Sequence, residues 1–117
     1  GVQTCALPIC QDTLRPGRTV GEVFAAHQKT FEKAGFGHAT QAACGYTMGA
    51  MYPPTWMDWP MIYANNPQVI EPGMVFFTHM ILFDRPAGLS MCIGETVIVT
   101  TGAAERINHV PREVIAV

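Results

Sequence analysis

One histidine and one glutamate stand out because each interrupts an otherwise apolar stretch of the chain. His79 lies in the run at residues 74–83, and Glu95 in the run that follows a turn at residues 84–88. If these runs pair as a hairpin centred on Ala87, the two side chains stand on one sheet face with Cβ atoms about 5 Å apart. The pair would be half of a metal site or a structural hydrogen bond, since unpaired polar groups are costly to bury. A one-residue slip in register would separate them to opposite faces.

The elements that must position this pair are strands of an antiparallel sheet. The run at residues 74–83 is nearly continuously apolar and predicts a strand buried on both faces. Residues 89–100 form the return strand, with Gly94 as a bulge or a point of close approach. Residues 45–49 predict a further short strand, and residues 106–108 a closing one. Residues 51–72, which hold both tryptophans, predict an ordered loop whose rings are packed away from water.

A helix that covers this sheet is predicted upstream. Thr19 and Glu22 have the spacing of a capping box, in which each side chain satisfies a free backbone N–H group of the first turn. Gly35 is a natural residue just beyond the helix end. The apolar face recurs at helical spacing through Val20, Phe24, His27, Phe31 and Ala34.

Composition excludes several classes of function. The formal net charge is −2 and no Lys/Arg cluster exists, which argues against a nucleic-acid-binding protein. No apolar stretch approaches the roughly 20 residues of a membrane span. The four cysteines show no CxxC spacing, which excludes a zinc ribbon and favours isolated buried thiols in a reduced cytoplasm. With 49% hydrophobic and 14% charged residues, the chain is apolar enough to expect one face to pack on a missing half.

The first nine residues form a separate case. Back-translated, residues 1–9 match a common short-read sequencing adapter, and residues of that origin belong outside fold reasoning. We therefore expect residues 1–9 to play no part in fold or site, and residues 10–117 to be the C-terminal part of a larger catalytic domain. A genuine apolar strand is the alternative.

Four segments in order resemble the pita-bread metallopeptidase family, which includes methionine aminopeptidase, Xaa-Pro aminopeptidase, prolidase and creatinase. Residues 15–35 resemble the family's Pro-Gly-x-Thr-x-x-Glu-Val helix, and residues 71–76 and 94–105 resemble its closing strands. Pro-Arg-Glu at residues 111–113 resembles the usual end of the domain. The resemblance covers nearly everything after residue 9. It implies an α+β fold, the C-terminal half of a pita-bread domain, with a curved antiparallel sheet backed by a helix.

The resemblance also implies a metal site made of two aspartates, a histidine and two glutamates. Both aspartates would lie upstream of this chain. The histidine belongs to a Gly-His-Gly-x-Gly motif, and residues 45–49 match it with Tyr46 in the histidine's place. His79 takes the place of the first glutamate and Glu95 that of the second. His79 and Glu95 are therefore the expected metal ligands, for one divalent ion of Mn, Fe or Zn or for none.

The exchange at Tyr46 and the Tyr-Pro-Pro-x-Trp segment ending at Trp56 resemble the ectoine hydrolase-like branch. The implied function is metal-dependent hydrolysis of an amide bond in a small or proline-like substrate. A dimethylsulfoniopropionate lyase-like enzyme and a non-catalytic binding module are the alternatives.

Further site residues follow from these readings. Tyr46 and Asp58 are expected in proton transfer or substrate binding, unless they are a core ring and a loop cap. Trp56 would bind substrate by cation–π attraction, and His38 could approach the site. We expect a homodimer in the cytoplasm, with no activity from the 117-residue chain alone.

Overall fold

The computed structural model of the chain describes residues 1–49 and 51–113. Within these residues lie two α-helices, α1 (Val2–Thr13) and α2 (Val20–Lys33), and a short 3₁₀ helix (Gly37–Ala39). The strands are β1 (Ala43–Thr47), β2 (Asp58–Tyr63), β3 (Val75–Asp84), β4 (Leu89–Ile98) and β5 (Glu105–Arg106). The predicted α+β class is confirmed, with two helices behind the sheet where one was expected.

Helix α2 forms as its sequence predicts. Thr19 Oγ1 accepts a hydrogen bond from the Glu22 backbone N–H, and the Glu22 carboxylate accepts one from the Thr19 N–H, so the capping box is complete. Gly35, just past the helix end, has a φ of 82°, which glycine adopts at little cost. On the buried face, His27 lies between Phe24 and Phe31, and burial lowers its pKa to about 4.

Residues 1–9 pack against the rest of the chain, which corrects the expectation that they take no part in the fold. They supply most of helix α1, and Ala6 and Leu7 have no exposed surface. Gln3 Nε2 also donates a hydrogen bond to the Met91 carbonyl oxygen at 2.7 Å. The helix has no side-chain cap and contains Pro8, so it lacks the usual sequence signals of a helix. The match of residues 1–9 to an adapter remains a prediction about their origin.

The five strands form one antiparallel sheet in the order β2–β1–β3–β4–β5. Helix α1 packs on β3 and β4, and helix α2 packs on β2, all on the same sheet face. Along β3 the residues Phe76, Thr78 and Met80 are fully buried on that face, whereas Phe77 and His79 alternate with them and are half-buried. Only one face of β3 is therefore fully buried, not both as predicted. We call the face turned away from the helices the open face.

The register of the β3–β4 hairpin differs from the prediction by one residue. Thr78 pairs with Glu95, and His79 pairs with Gly94, in a ladder that runs without a bulge from Val75 to Asp84. Paired residues share a face, so His79 and Glu95 point to opposite faces. The predicted His79–Glu95 pair is therefore wrong.

The hairpin loop explains the difference. Asp84 pairs with Leu89, which leaves the four residues 85–88 in the loop. Its centre falls between Pro86 and Ala87 and not on Ala87. The loop closes with a hydrogen bond from the Gly88 N–H to the Arg85 carbonyl oxygen at 3.1 Å, and Gly88 has a positive φ of 66°.

Two further features bear on the class of protein. The four cysteines are free thiols, and Cys10 and Cys44 are buried side by side, where burial raises the pKa of Cys44 well above its usual value. Cys92, which was expected to be buried, is exposed. No helix within residues 1–49 and 51–113 is both long and apolar enough to cross a membrane.

Candidate functional site

Tyr46 is held on the open face by close packing between β1 and β3. The preceding Gly45 allows this approach, because a Cβ atom there would lie only 2.5 Å from the Phe77 carbonyl oxygen. The Tyr46 ring contacts the rings of Phe77 and His79, with centroid distances of 5.5 and 6.5 Å. Its hydroxyl oxygen accepts a hydrogen bond from Trp56 Nε1 at 3.1 Å. The phenol is therefore largely buried but fixed in orientation.

His79 lies beside Tyr46 in a pocket of about 240 Å³ on the open face. Met57 and Met61 line the same pocket, so its walls are mainly apolar. Burial lowers the pKa of His79 below its ordinary value. The imidazole is consequently neutral near pH 7 and can accept a proton or a hydrogen bond.

Glu95 is buried on the helix-covered face, away from this pocket. Its carboxylate accepts hydrogen bonds from Arg112 Nε and Nη2, both at 2.7 Å, and from Gln11 Nε2 at 2.6 Å. Arg106 Nη2 lies 2.9 Å from the same group. Both carboxylate oxygens are thus engaged by residues of α1, β5 and the C-terminal segment. Their number and charge make this a structural ion network.

The pKa of Glu95 reflects the same surroundings. Burial alone would raise the pKa of the carboxyl, but hydrogen bonds from Arg112 and Gln11 and the charges of Arg112 and Arg106 outweigh it. The pKa therefore lies below its usual value, and the group is a carboxylate at neutral pH.

The described residues do not fit a complete metal centre. No group of three or more His, Cys, Asp or Glu side chains comes close enough to hold an ion within residues 1–49 and 51–113. The two expected ligands, His79 and Glu95, are on opposite faces of the sheet, and Gly94 opposite His79 has no side chain. Tyr46 stands where the resemblance places a histidine, and a neutral phenol is a poor ligand. On the open face, His79 is the single imidazole or carboxylate among the residues that line the described pocket.

Trp56 and Asp58 lie at the edge of this site. Trp56 reaches Tyr46 through its indole N–H but leaves 69% of its surface exposed, and Trp59 leaves 63%. The expectation that these rings pack away from water is therefore wrong. Asp58 opens β2, pairs with Thr47, and accepts a hydrogen bond from the Trp59 backbone N–H at 2.8 Å. This contact is that of a cap, and a role of Asp58 in proton transfer stays a prediction.

His38 lies at a different end of the sheet. It belongs to the 3₁₀ helix, and its Nε2 is 3.4 Å from Asp84 Oδ1 at the end of β3. It lines a pocket with Arg85 that adjoins the pocket of Tyr46 and His79 through the shared residues Gln41 and Ala42, but it does not line the latter. The structure thus brings Tyr46, Trp56 and His79 together but leaves His38 apart.

Two residues of this region were not singled out for the site from the sequence. Phe77 packs between Tyr46 and His79, and its ring lies over Gly94. The positions of Phe77 and Gly94 beside His79 depend on the register of the hairpin, so the one-residue error in the predicted register prevented their identification. The spacing of Phe77 and His79, two apart on one strand, was the available signal.

Comparison with known proteins agrees with the architecture. Residues 5–101 match the model of metallopeptidase family M24. The chain is 29% identical over 103 residues to an ectoine hydrolase from Halomonas elongata, covering 87% of this chain and 25% of that protein. The crystal structure of dipeptidase PepE from Mycobacterium ulcerans superposes with a TM-score of 0.86 at 25% identity, covering 97% of this chain and 29% of that one.

The prolidase from Pyrococcus furiosus superposes with a TM-score of 0.84 at 22% identity. The match covers 95% of this chain and 32% of that one, so the chain spans about a third of the prolidase. The family match includes residues 5–9, the segment that resembles an adapter. The chain therefore belongs to metallopeptidase family M24, and its sheet and helices share that family's pita-bread fold.

Proposed function

We propose that the protein containing this chain hydrolyses an amide bond of a small zwitterionic or proline-like substrate. The open face would form one wall of its active site, and a further half-domain would form the other. The observation that carries the proposal is the oriented Tyr46 hydroxyl beside a neutral His79 in an apolar pocket. Membership of a peptidase family supports the choice of an amide bond, and the similarity to an ectoine hydrolase supports a small zwitterionic substrate.

Tyr46 would stabilise the oxyanion of the reaction. An indole N–H can only donate, so the hydrogen bond from Trp56 uses a lone pair of the Tyr46 oxygen. The proton of the Tyr46 hydroxyl is therefore free to be donated to a substrate. A donor held in advance toward a developing negative charge contributes strongly in a pocket with apolar walls. Tyr46 would thus bind the carbonyl oxygen of the substrate as that oxygen gains charge.

His79 would move the proton. A neutral imidazole takes a proton from the attacking water as the new C–O bond forms, and returns it to the amide nitrogen as the C–N bond breaks. From an amide the products are a carboxylic acid and an amine. From a cyclic amidine one ring C–N bond breaks and the product is an amide that carries a free amine. The proton balance closes within the site in both cases. The lowered pKa of His79 keeps the base form present at neutral pH.

Trp56 would recognise a cationic group. Its indole ring is exposed and reaches Tyr46 of the pocket, and a cation over such a ring gains roughly 0.5–2 kcal/mol. Ectoine, a cyclic amidine with a carboxylate, and glycyl-proline, with a protonated amine, both have the required charge. They are therefore the substrates to test first.

A divalent ion stays a prediction for the longer protein. His79 could supply one ligand, and the chemistry of such an ion would be to polarise the substrate carbonyl. The incomplete ligand set favours one alternative, a binding module that kept the fold without catalysis. The cytoplasmic location and the homodimer also remain predictions.

The test compares Tyr46→Phe with the wild-type full-length protein on glycyl-proline, whose amide carbonyl Tyr46 would bind, and on ectoine, whose amidine has no carbonyl oxygen. We expect kcat on glycyl-proline to fall about 100-fold with KM little changed, because the lost hydroxyl acts on the transition state. Product formation is followed by NMR. Tyr63→Phe, which removes a hydroxyl from β2, is the matched control and should keep wild-type activity.

One outcome would decide against the hydrolase, and another against the role of Tyr46. Binding of either compound without any product would support the binding module instead. Hydrolysis that survives Tyr46→Phe unchanged would remove Tyr46 from the mechanism.

A further inference from the structure

Gly94 leaves a gap on the open face that the ring of Phe77 fills. A Cβ atom built on Gly94 would overlap Cζ of Phe77 and would lie 3.0 Å from Cε1 and Cε2. The backbone of Gly94 is not in the left-handed region, so no unusual φ angle calls for glycine here. The position of the Phe77 ring, and not the backbone conformation, therefore requires glycine at position 94.

The same ring contacts both polar groups of the site. Its centroid is 5.1 Å from that of His79 and 5.5 Å from that of Tyr46. The Phe77 ring does not itself line the pocket, but it packs against these two side chains and so supports them. Tyr46 and His79 line the pocket directly, so a displaced ring would change its shape.

We propose that Gly94 and Phe77 together determine substrate specificity: the glycine leaves room for the tip of the phenyl ring beside β4, and the ring holds Tyr46 and His79 in the positions that shape the pocket. This inference rests on the pocket assigned under the proposed function. A small pocket lined by Met57 and Met61 beside Tyr46 and His79 suits a compound with a compact aliphatic ring, such as a pyrrolidine or a cyclic amidine. The methionine walls disfavour a substrate carboxylate placed against them, because the charge would lose its hydration without gaining a partner.

A double-mutant cycle in the full-length protein separates this role from a general structural one. Gly94→Ala should retain the fold, because the overlap is with the tip of a side chain that can swing away. We expect it to weaken binding of ectoine or glycyl-proline at least 10-fold by calorimetry. In a Phe77→Ala background the added methyl group has room, so Gly94→Ala should then change Kd less than 2-fold.

Gly102→Ala is the matched control. A Cβ atom at Gly102 meets only Thr100 Oγ1 at 3.9 Å, and its φ is also outside the left-handed region. The Gly102→Ala substitution should therefore leave the Kd for ectoine or glycyl-proline unchanged.

Each other result has a defined meaning. Equal effects of Gly94→Ala in both backgrounds, or no effect in either, would overturn the proposal, as would failure of the wild-type protein to bind either compound. If the wild-type protein binds a compound without hydrolysing it and the cycle shows the expected coupling, the hydrolase fails and the specificity role stands.

Discussion

At the scale of single residues, Glu95 shows how surroundings decide the role of a side chain. Its residue type and its place in the motif order both suggested a metal ligand. In the structure its carboxylate is bound by Arg112 and Gln11 and lies next to Arg106, with 3% of its side chain exposed. A group engaged in this way stabilises the fold.

Replacement of Glu95 by Gln should therefore destabilise the protein. The change leaves the guanidinium groups of Arg106 and Arg112 without their carboxylate in a largely buried place. Loss of one partner of a buried pair typically costs about 3 kcal/mol, and we expect a loss of this size in the free energy of unfolding. Urea denaturation at pH 7 measures it. Glu105→Gln, on the exposed neighbouring position of β5, should change the value little.

The contribution of Glu95 also depends on pH in a predictable direction. Its pKa is lower in the folded protein than in the unfolded chain, so the unfolded state binds more protons in acid. The stabilisation is present above the unfolded pKa of about 4.5 and is lost as the pH falls through the folded pKa. The stability difference between wild type and Glu95→Gln should shrink in that range. His27 titrates in both proteins, so its contribution cancels when their free energies of unfolding are subtracted. If the stability difference between the two proteins did not depend on pH, this would contradict the ion network.

At the scale of elements, the two helices contrast in how their sequences specify them. Helix α2 has a capping box, an amphipathic face and a terminal glycine, and all three appear in the structure. Helix α1 has no capping box and no terminal glycine, but its buried residues Gln3, Ala6, Leu7 and Cys10 recur at helical spacing and place Leu7 in the core. Tertiary packing, and not local propensity, accounts for α1.

Leu7→Ala tests whether residues 1–9 contribute to the fold. Leu7 has no exposed surface, so its truncation should lower the free energy of unfolding by about 2–5 kcal/mol. Ile9→Ala is the control on the same helix, because Ile9 is 42% exposed and should lose much less. Equal and small losses in thermal or urea unfolding would show that this segment does not pack as described.

The β3–β4 hairpin is the second example at the scale of elements. Its strands and its turn region were predicted correctly, but the loop has four residues, 85–88, and its centre lies half a residue from the expected one. Because side chains alternate along a strand, this small error moved Glu95 to the opposite face from His79. Sequence propensity and pattern locate strands, but they do not determine whether the loop between two strands has an odd or an even number of residues.

At the scale of the whole molecule, the sheet has helices on one face and exposed aromatic residues on the other. Trp56 and Trp59 leave most of their surface in solvent, and no described element covers the open face. The open face provides one wall of a pocket, which can orient a substrate but cannot surround it. The described residues also lack a full ligand set for an ion. The chain thus presents part of a site.

We accordingly predict that the 117-residue chain alone has no measurable hydrolytic activity. Purified chain is incubated with ectoine and with glycyl-proline, with and without Mn²⁺, and products are followed by NMR. The full-length protein serves as the positive control. Turnover by the chain alone above the uncatalysed rate would show that the described residues are sufficient for catalysis.

The sequence by itself determined the α+β class, the capped helix α2, the existence of the hairpin and the order of motifs that identifies the family. These features depend on local spacing and on segments that are contiguous in the chain. Only the tertiary structure decided that His79 faces Gly94, that Phe77 lies between Tyr46 and His79, and that Glu95 binds Gln11 and Arg112. The reason is physical: which face a strand residue occupies depends on register, and register depends on loop geometry and on contacts between residues far apart in sequence.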